Sequence, residues 1–309
     1  MAVSVSAINA ITKQNFIPKL IDNINSSNIL LHQMQKEKRL ETLDGGQDIR
    51  VPTRYARFSS RGWYSGGQLL NTAYNEKKTA LVFDWAQHYI NISVTGLDKL
   101  KNSGESKVID HVKSELQAAE DDIKDSFGTG LYNAGTTANA ILGCRTYLST
   151  SATYGGISQS SESWLQAQVD SSTTTLTLGK MQALYEAASQ PPIRPNLITC
   201  VETVFNSYWS LLQPQQRFAD SDAASAGFKN LMFNGAAVFE DSYCPSSTMV
   251  MHNTDYLNLY SHSQRNFPGE FKDFQEFFDQ DAMIAKFLWA GAFVCSAPRF
   301  QGIMSALTA

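Results

Sequence analysis

The chain has 309 residues, enough for one large or two modest domains with cores of their own. A formal net charge of −4 excludes a basic field for general nucleic-acid binding, and no stretch reaches the roughly 18 uninterrupted apolar residues of a membrane span. Charged residues make up only 17% of the chain, below the usual level of about 25%. Two readings fit: a surface buried against further copies of the chain, or a plain Ser/Thr/Asn-rich surface. The first residues lack a basic region and a long apolar run, so no signal peptide is expected. Cys144, Cys200, Cys244 and Cys295 match neither a metal knuckle nor a CxxC pair. They read as free, buried thiols.

Residues 1–47 look like an arm. Apolar residues are sparse, but Ile17, Leu20, Ile21 and Ile24 fall on one face of a helix too short to stand alone, so it needs a partner surface. Ile29, Leu30 and Leu31 follow, then a charged stretch from Gln33 to Glu41 and a turn at 44–48. Residues 48–82 read as a long hairpin. Ile49 and Val51 alternate with polar residues, Pro52 marks an edge, and a return strand rises through Thr79–Phe83. Gly62, Gly66 and Gly67 surround Trp63 and Tyr64 at its tip. The hairpin has too little apolar content for its own core and must lie on something else. Phe83, Trp85, Tyr89, Ile90, Ile92 and Val94 predict a strand over Phe83–Gly96. A helix then starts near Asn102–Glu105. Its stripe of Val108, Ile109, Val112, Leu116, Ala119, Ile123 and Phe127 predicts about 22 residues, roughly 33 Å, stopping at Gly128.

Residues 136–235 read as a mixed α/β unit. The Ser/Thr/Gly-rich stretch 146–163 predicts loop. Leu178, Met181, Leu184, Tyr185 and Ala188 predict a helix that ends before Pro191. Leu197–Val201 is a short buried strand, and Val204–Leu212 is a helix capped by Thr203. Gln213–Gly227 is a polar loop, and no repeat of 20–50 residues occurs. Strands follow at Gly235–Asp241 and Met249–Tyr260, and an apolar strand from Trp289 ends at Pro298.

No catalytic signature is present: no GxSxG, no P-loop, no HExxH, and five scattered histidines. Gly128-Thr-Gly130 begins like a dinucleotide fingerprint, but it lacks the third glycine and follows a helix. Glu120, Asp121, Asp122 and Asp125 form either a cation site or a solvated helix face beside Lys124, and the second reading is preferred. They oppose the helix dipole, which suits a partner outside the helix. Arg50, Arg54, Arg57 and Arg61 lie among Tyr55, Phe58, Trp63 and Tyr64. On a continuous strand the first two would face opposite to the last two. The preferred reading is forked hydrogen bonds to acidic groups of a neighbouring subunit; solvated charge and a nucleic-acid patch are the alternatives.

The ordered set of Phe83–Gly96, the long helix, Gly235–Asp241 and the closing strand through Trp289–Arg299 resembles the tailed-bacteriophage major capsid proteins, a fold shared with encapsulins. The resemblance implies an α+β chain in four parts: an N-terminal arm (1–47), an extended loop (48–82), a peripheral domain built on a spine helix and long antiparallel strands (83–135 with 241–309), and a mixed α/β axial domain (136–240). It implies a structural protein with no catalytic site, cofactor or metal. Such a protein self-assembles into hexamers and pentamers of an icosahedral head that encloses double-stranded DNA. It would assemble in the host bacterial cytoplasm and end in the virion capsid. The inter-subunit contacts expected are Arg50, Arg54, Arg57, Arg61, Trp63 and Tyr64 from the loop, and Ile17, Leu20, Ile21 and Ile24 from the arm. Partners implied are further copies of the chain, portal and decoration proteins, and DNA held by weak non-specific contact, with no membrane. The 47 residues before the loop are too few for a built-in scaffolding segment, so a separate scaffolding protein is expected. Lys77 and Lys78 are candidates for a covalent cross-link by residue type only. The alternatives are an encapsulin-type nanocompartment shell and a phage tail or receptor-binding protein; the long helix speaks against the latter.

Overall fold

The computed structural model describes residues 28–97, 105–212, 231–266, 272–276 and 281–308. The predicted amphipathic run Ile17–Ile24 lies outside them. The architecture rests on two sheets. The first is organised around β15 (Ala282–Cys295). One side of this 14-residue strand pairs throughout with β4 (Ala86–Thr95), from Ala282↔Thr95 to Gly291↔Ala86. Along its other side β14 (Lys272–Glu276) takes the first half and β13 (Leu257–Asn266) the second. β1 (Leu40–Leu43) adds parallel to β13 at the sheet edge.

Against this sheet packs α2 (Glu105–Leu131). Its predicted stripe is buried where side chains are described, at Leu116, Ala119, Ile123 and Phe127. Phe127 meets the Trp289 ring edge to face at 4.9 Å, and the Trp289 indole donates to Ser261 Oγ at 3.2 Å. From Trp289 to Cys295 nearly every β15 residue is buried, so the strand is covered on both faces there and reads as a continuous apolar run. Gly291 is needed in that run: any side chain would strike the Tyr260 carbonyl and the Trp289 ring.

The second sheet has six short strands in the order β10 (Leu231–Phe233), β11 (Ala236–Glu240), β9 (Leu197–Cys200), β12 (Met249–His252), β16 (Gly302–Met304) and β7 (Gln168–Asp170). The helices α4 (Leu178–Ala188) and α5 (Glu202–Leu211) bury Met181, Leu184, Tyr185, Val204, Phe205 and Tyr208 in a second apolar cluster with it. Minor elements are α3 (Cys144–Tyr147), the small hairpin β5 (Thr153–Tyr154) and β6 (Ile157–Ser158), and the pair β8 (Thr174–Thr175) with β17 (Leu307–Thr308).

Several expectations change. Within the segment read as an arm, α1 (Ile29–Lys36) is capped by Asn28 and buries Ile29, Leu30, Leu31 and Met34 in the subunit's own core. With β1 behind it, 29–43 belongs to the body. The second sheet takes β12 and β16 from beyond residue 240, so it crosses the boundary drawn there. Phe83–Gly96 is two strands, because Asp84 and Trp85 break the ladder. Tyr89, out of phase with Ile90, Ile92 and Val94, is exposed. α2 has 27 residues and runs past Gly128, which is not a stop. The missing side chain leaves room for the Tyr243 ring, which a Cβ would strike. Thr203 does not cap α5. It sits in the first turn, Val201 holds the cap position without a side-chain hydrogen bond, and the Thr203 carbonyl accepts from Ser207 Oγ at 3.0 Å.

Candidate assembly surface

The base of the extended hairpin is anchored in its own subunit. β2 (Ile49–Arg54) pairs with β3 (Lys78–Phe83) in register from Ile49↔Phe83 to Arg54↔Lys78. Ile49 and Val51 point into the core, as their alternation predicted; Leu81 and Phe83 of the return strand join them, and Phe83 meets Tyr154 at 5.1 Å. Val82 N–H donates to the Gly155 carbonyl at 3.1 Å, and the Tyr154 hydroxyl accepts from Cys295 N–H at 2.8 Å. Trp85 ties the hairpin to the first sheet, with its indole donating to the Gly46 carbonyl at 2.9 Å and packing on His262.

Beyond Arg54 and Lys78 the ladder stops. Tyr55 stacks on Trp164 at 5.7 Å, and from there to residue 77 no strand or helix forms. This tip exposes a cluster of large apolar side chains. Trp63 is 104% exposed and Leu69 96%, and Tyr64, Leu70, Tyr74 and Phe58 are exposed with them. So many exposed large apolar side chains in one short segment suit a surface that is covered on association. Trp63 and Tyr64 are the two that the sequence placed at the tip. Leu69, Leu70 and Tyr74 were not singled out, although their position between the glycines and the return strand was a usable signal.

Cations surround this display. Lys77 Nζ lies 3.7 Å from the centre of the Phe58 ring and 5.6 Å from that of Tyr74, and the Arg54 guanidinium lies 5.5 Å from Phe58. Arg50 reaches Asp48 at 3.4 Å on the exposed face of β2. Arg57 and Arg61 are exposed and make no ion pair among the described residues. The strand-phase argument separating Arg50 and Arg54 from Arg57 and Arg61 does not apply, since β2 ends at Arg54. The carboxylates on α2 form an outward face. Lys124 bonds Glu120 at 2.7 Å and Asp121 at 3.3 Å, while Asp121, Asp122 and Asp125 stay exposed.

The interior holds polar groups that the sequence did not single out together. The Tyr132 hydroxyl lies 2.8 Å from Asp241 Oδ2 and 3.0 Å from Thr199 Oγ1, which lies 3.1 Å from His252 Nε2. All four residues are buried. Burial raises Asp241 above the usual carboxylate range and holds His252 down at about 3. With all four members buried, the set has the form of an internal tie. All four cysteines are free and buried, and burial pushes their thiols up. Among the described residues no cluster of His, Cys, Asp and Glu could hold a metal ion, and no helix is long and apolar enough to cross a membrane.

No family model and no curated protein matches the chain. Solved structures do. A cyanophage A-1(L) capsid protein is 18% identical, with a TM-score of 0.60 over 88% of this chain and 91% of that one. The capsid of a native GTA particle is 9% identical, with a TM-score of 0.63 over 89% and 90%. The SrpI encapsulin of Synechococcus elongatus PCC 7942 is 8% identical, with a TM-score of 0.56 over 89% and 87%. The chain has the phage major-capsid fold, an α+β fold of shell-forming structural proteins.

Proposed function

We propose that this capsid-type shell protein is the major capsid protein of a tailed phage, self-assembling as hexamers and pentamers into an icosahedral head around double-stranded DNA. The observation that carries the reading is an apolar loop tip held clear of its own subunit on a hairpin whose base is locked into the core, within a chain of capsid fold. A loop built this way gains its burial on a second copy, and many such weak contacts acting together close a shell. Trp63 and Tyr64 are the anchors of that contact. Arg54, Arg57 and Arg61 meet carboxylates of the neighbour, and the exposed Asp121 and Asp122 of its spine helix are of the right charge and reach outward. The arm residues Ile17, Leu20, Ile21 and Ile24 add a second crossing contact. A net charge of −4 keeps the inner wall from gripping DNA. A separate scaffolding protein guides closure, and portal and decoration proteins complete the particle.

The test is negative-stain electron microscopy of the purified protein with light scattering on the same sample. Closed particles or capsomer rings many times the 34.2 kDa subunit mass support the reading. A monomer that stays monomeric when co-expressed with the adjoining phage genes sinks it. An encapsulin-type shell is the second reading, favoured by the SrpI likeness. It predicts closed shells from this chain alone that hold an enzyme in place of DNA.

A further inference from the structure

The buried tie described above has a direction, and that direction depends on one proton. Tyr132 lies just past the end of α2, Thr199 on β9, Asp241 just past β11, and His252 on β12. Each hydroxyl carries a single proton, so Tyr132 cannot donate to both of its neighbours. With Asp241 ionised, its Oδ2 is the stronger acceptor and takes the Tyr132 proton. Tyr132 then accepts from Thr199, and Thr199 accepts from His252, which must carry its proton on Nε2. With Asp241 neutral the order inverts. Its Oδ1 already accepts Tyr243 N–H at 3.0 Å, so the acid proton sits on Oδ2 and is donated to Tyr132. Tyr132 donates to Thr199, Thr199 donates to His252 Nε2, and the ring must be protonated on Nδ1 instead.

Which nitrogen of a histidine carries the proton is set by what the other nitrogen bonds. His252 Nδ1 is buried and makes no hydrogen bond to any described residue, so nothing else pins the tautomer. We propose that proton uptake by Asp241 reverses this four-membered chain and moves His252 from its Nε2–H to its Nδ1–H form, so that an event at the end of the spine helix is registered across the second sheet. The step balances with one proton. It enters at Nδ1, the Nε2 proton passes to Thr199, that of Thr199 to Tyr132, and that of Tyr132 to Asp241.

The surroundings leave Asp241 as the group that titrates. The thiols of Cys144, Cys200 and Cys244 face it and are held protonated by burial. Arg145 acts on Cys144 and Cys244, and Glu240 on Cys200. On the Tyr243 side stand Asp125 and Lys124. Burial moves Asp241 up toward neutrality and keeps His252 from becoming a cation until about 3, so the ring stays neutral while the carboxyl titrates.

The test is nitrogen NMR of the wild-type protein labelled with 15N-histidine, taken from about pH 8 down to about pH 4, with the His252 signals assigned by their loss in His252→Gln. The two ring nitrogens of His252 are expected to move toward each other's chemical-shift positions as Asp241 takes up its proton, while the ring remains neutral. Thr199→Val, which keeps the shape and removes the relay, abolishes this movement. One tautomer throughout, a doubly protonated ring in the same range, or a movement that persists in Thr199→Val overturns the proposal. The wild-type titration decides alone if the variant does not fold.

Discussion

At the scale of single residues, His252 makes acid the weak side of this fold. Its folded value is near 3, while a solvated imidazole takes its proton near 6.5. The unfolded chain therefore binds more protons than the folded one between those values. The contribution is intact above about 6.5 and is lost as pH falls toward about 3. Asp241 has the opposite sign: its raised folded value gives stability that is present at low pH and lost as pH rises through it. Stability from denaturant melts at pH 7 and pH 4 is expected to fall in the wild type by up to about 3 kcal/mol, and by distinctly less in His252→Gln. The two glycines of α2 give a contrasting pair. Gly128→Ala drives a methyl into the Tyr243 ring and is expected to destabilise by about 1–3 kcal/mol, although alanine is the better helix former. Gly130→Ala meets only Ile141 at 3.9 Å and is expected to gain roughly 0.5 kcal/mol. Urea melts of both variants check the signs.

At the scale of elements, the hairpin joins a base locked into the core to a tip whose large apolar side chains are exposed. Trp63→Ala is expected to leave folded stability within about 0.5 kcal/mol of wild type, while particle yield drops several-fold. Circular dichroism beside particle counts on one sample measures both, and normal shells from the variant defeat the role given to Trp63. Most of this element was legible in the sequence, since alternation at Ile49 and Val51 gave the first strand, the apolar run to Phe83 gave the return strand and clustered glycines gave the tip. The share borne by Leu69, Leu70 and Tyr74 was not, because an exposed leucine looks the same in sequence as a buried one. The spine helix was legible by its stripe. Its end was not, because a glycine that makes room for an aromatic ring across the fold looks like a glycine that terminates a helix. Thr203 misled in a similar way, being a good cap by type but lying two residues past the capping position.

At the scale of the molecule, charge is unevenly placed: a basic loop on a chain whose net charge is −4. Arg57→Glu with Arg61→Glu is expected to slow or prevent assembly without unfolding the subunit, and assembly of the wild type is expected to weaken with added salt as exposed pairs are screened beyond about 8–10 Å. Light scattering against ionic strength measures both, and salt-independent assembly of the wild type, or normal assembly of the double variant, argues against arginine pairing. The division between the two sheets was the least legible feature. β12 and β16 are four and three residues long, and some 50 residues lie between them, so no local pattern marks them as neighbours. β15 carries a further consequence, in the order of synthesis. β4 leaves the ribosome with its ladder partner still roughly 190 residues from being made, because Thr95 pairs with Ala282. At about 5–20 residues per second the nascent chain carries that edge unsatisfied for roughly 10–40 seconds, and any chain that stops short of residue 282 never satisfies it. The last strands translated thus act as a completeness check. A truncated chain cannot form the sheet on which the spine helix packs, so a chain cut short fails to fold before it could join any assembly.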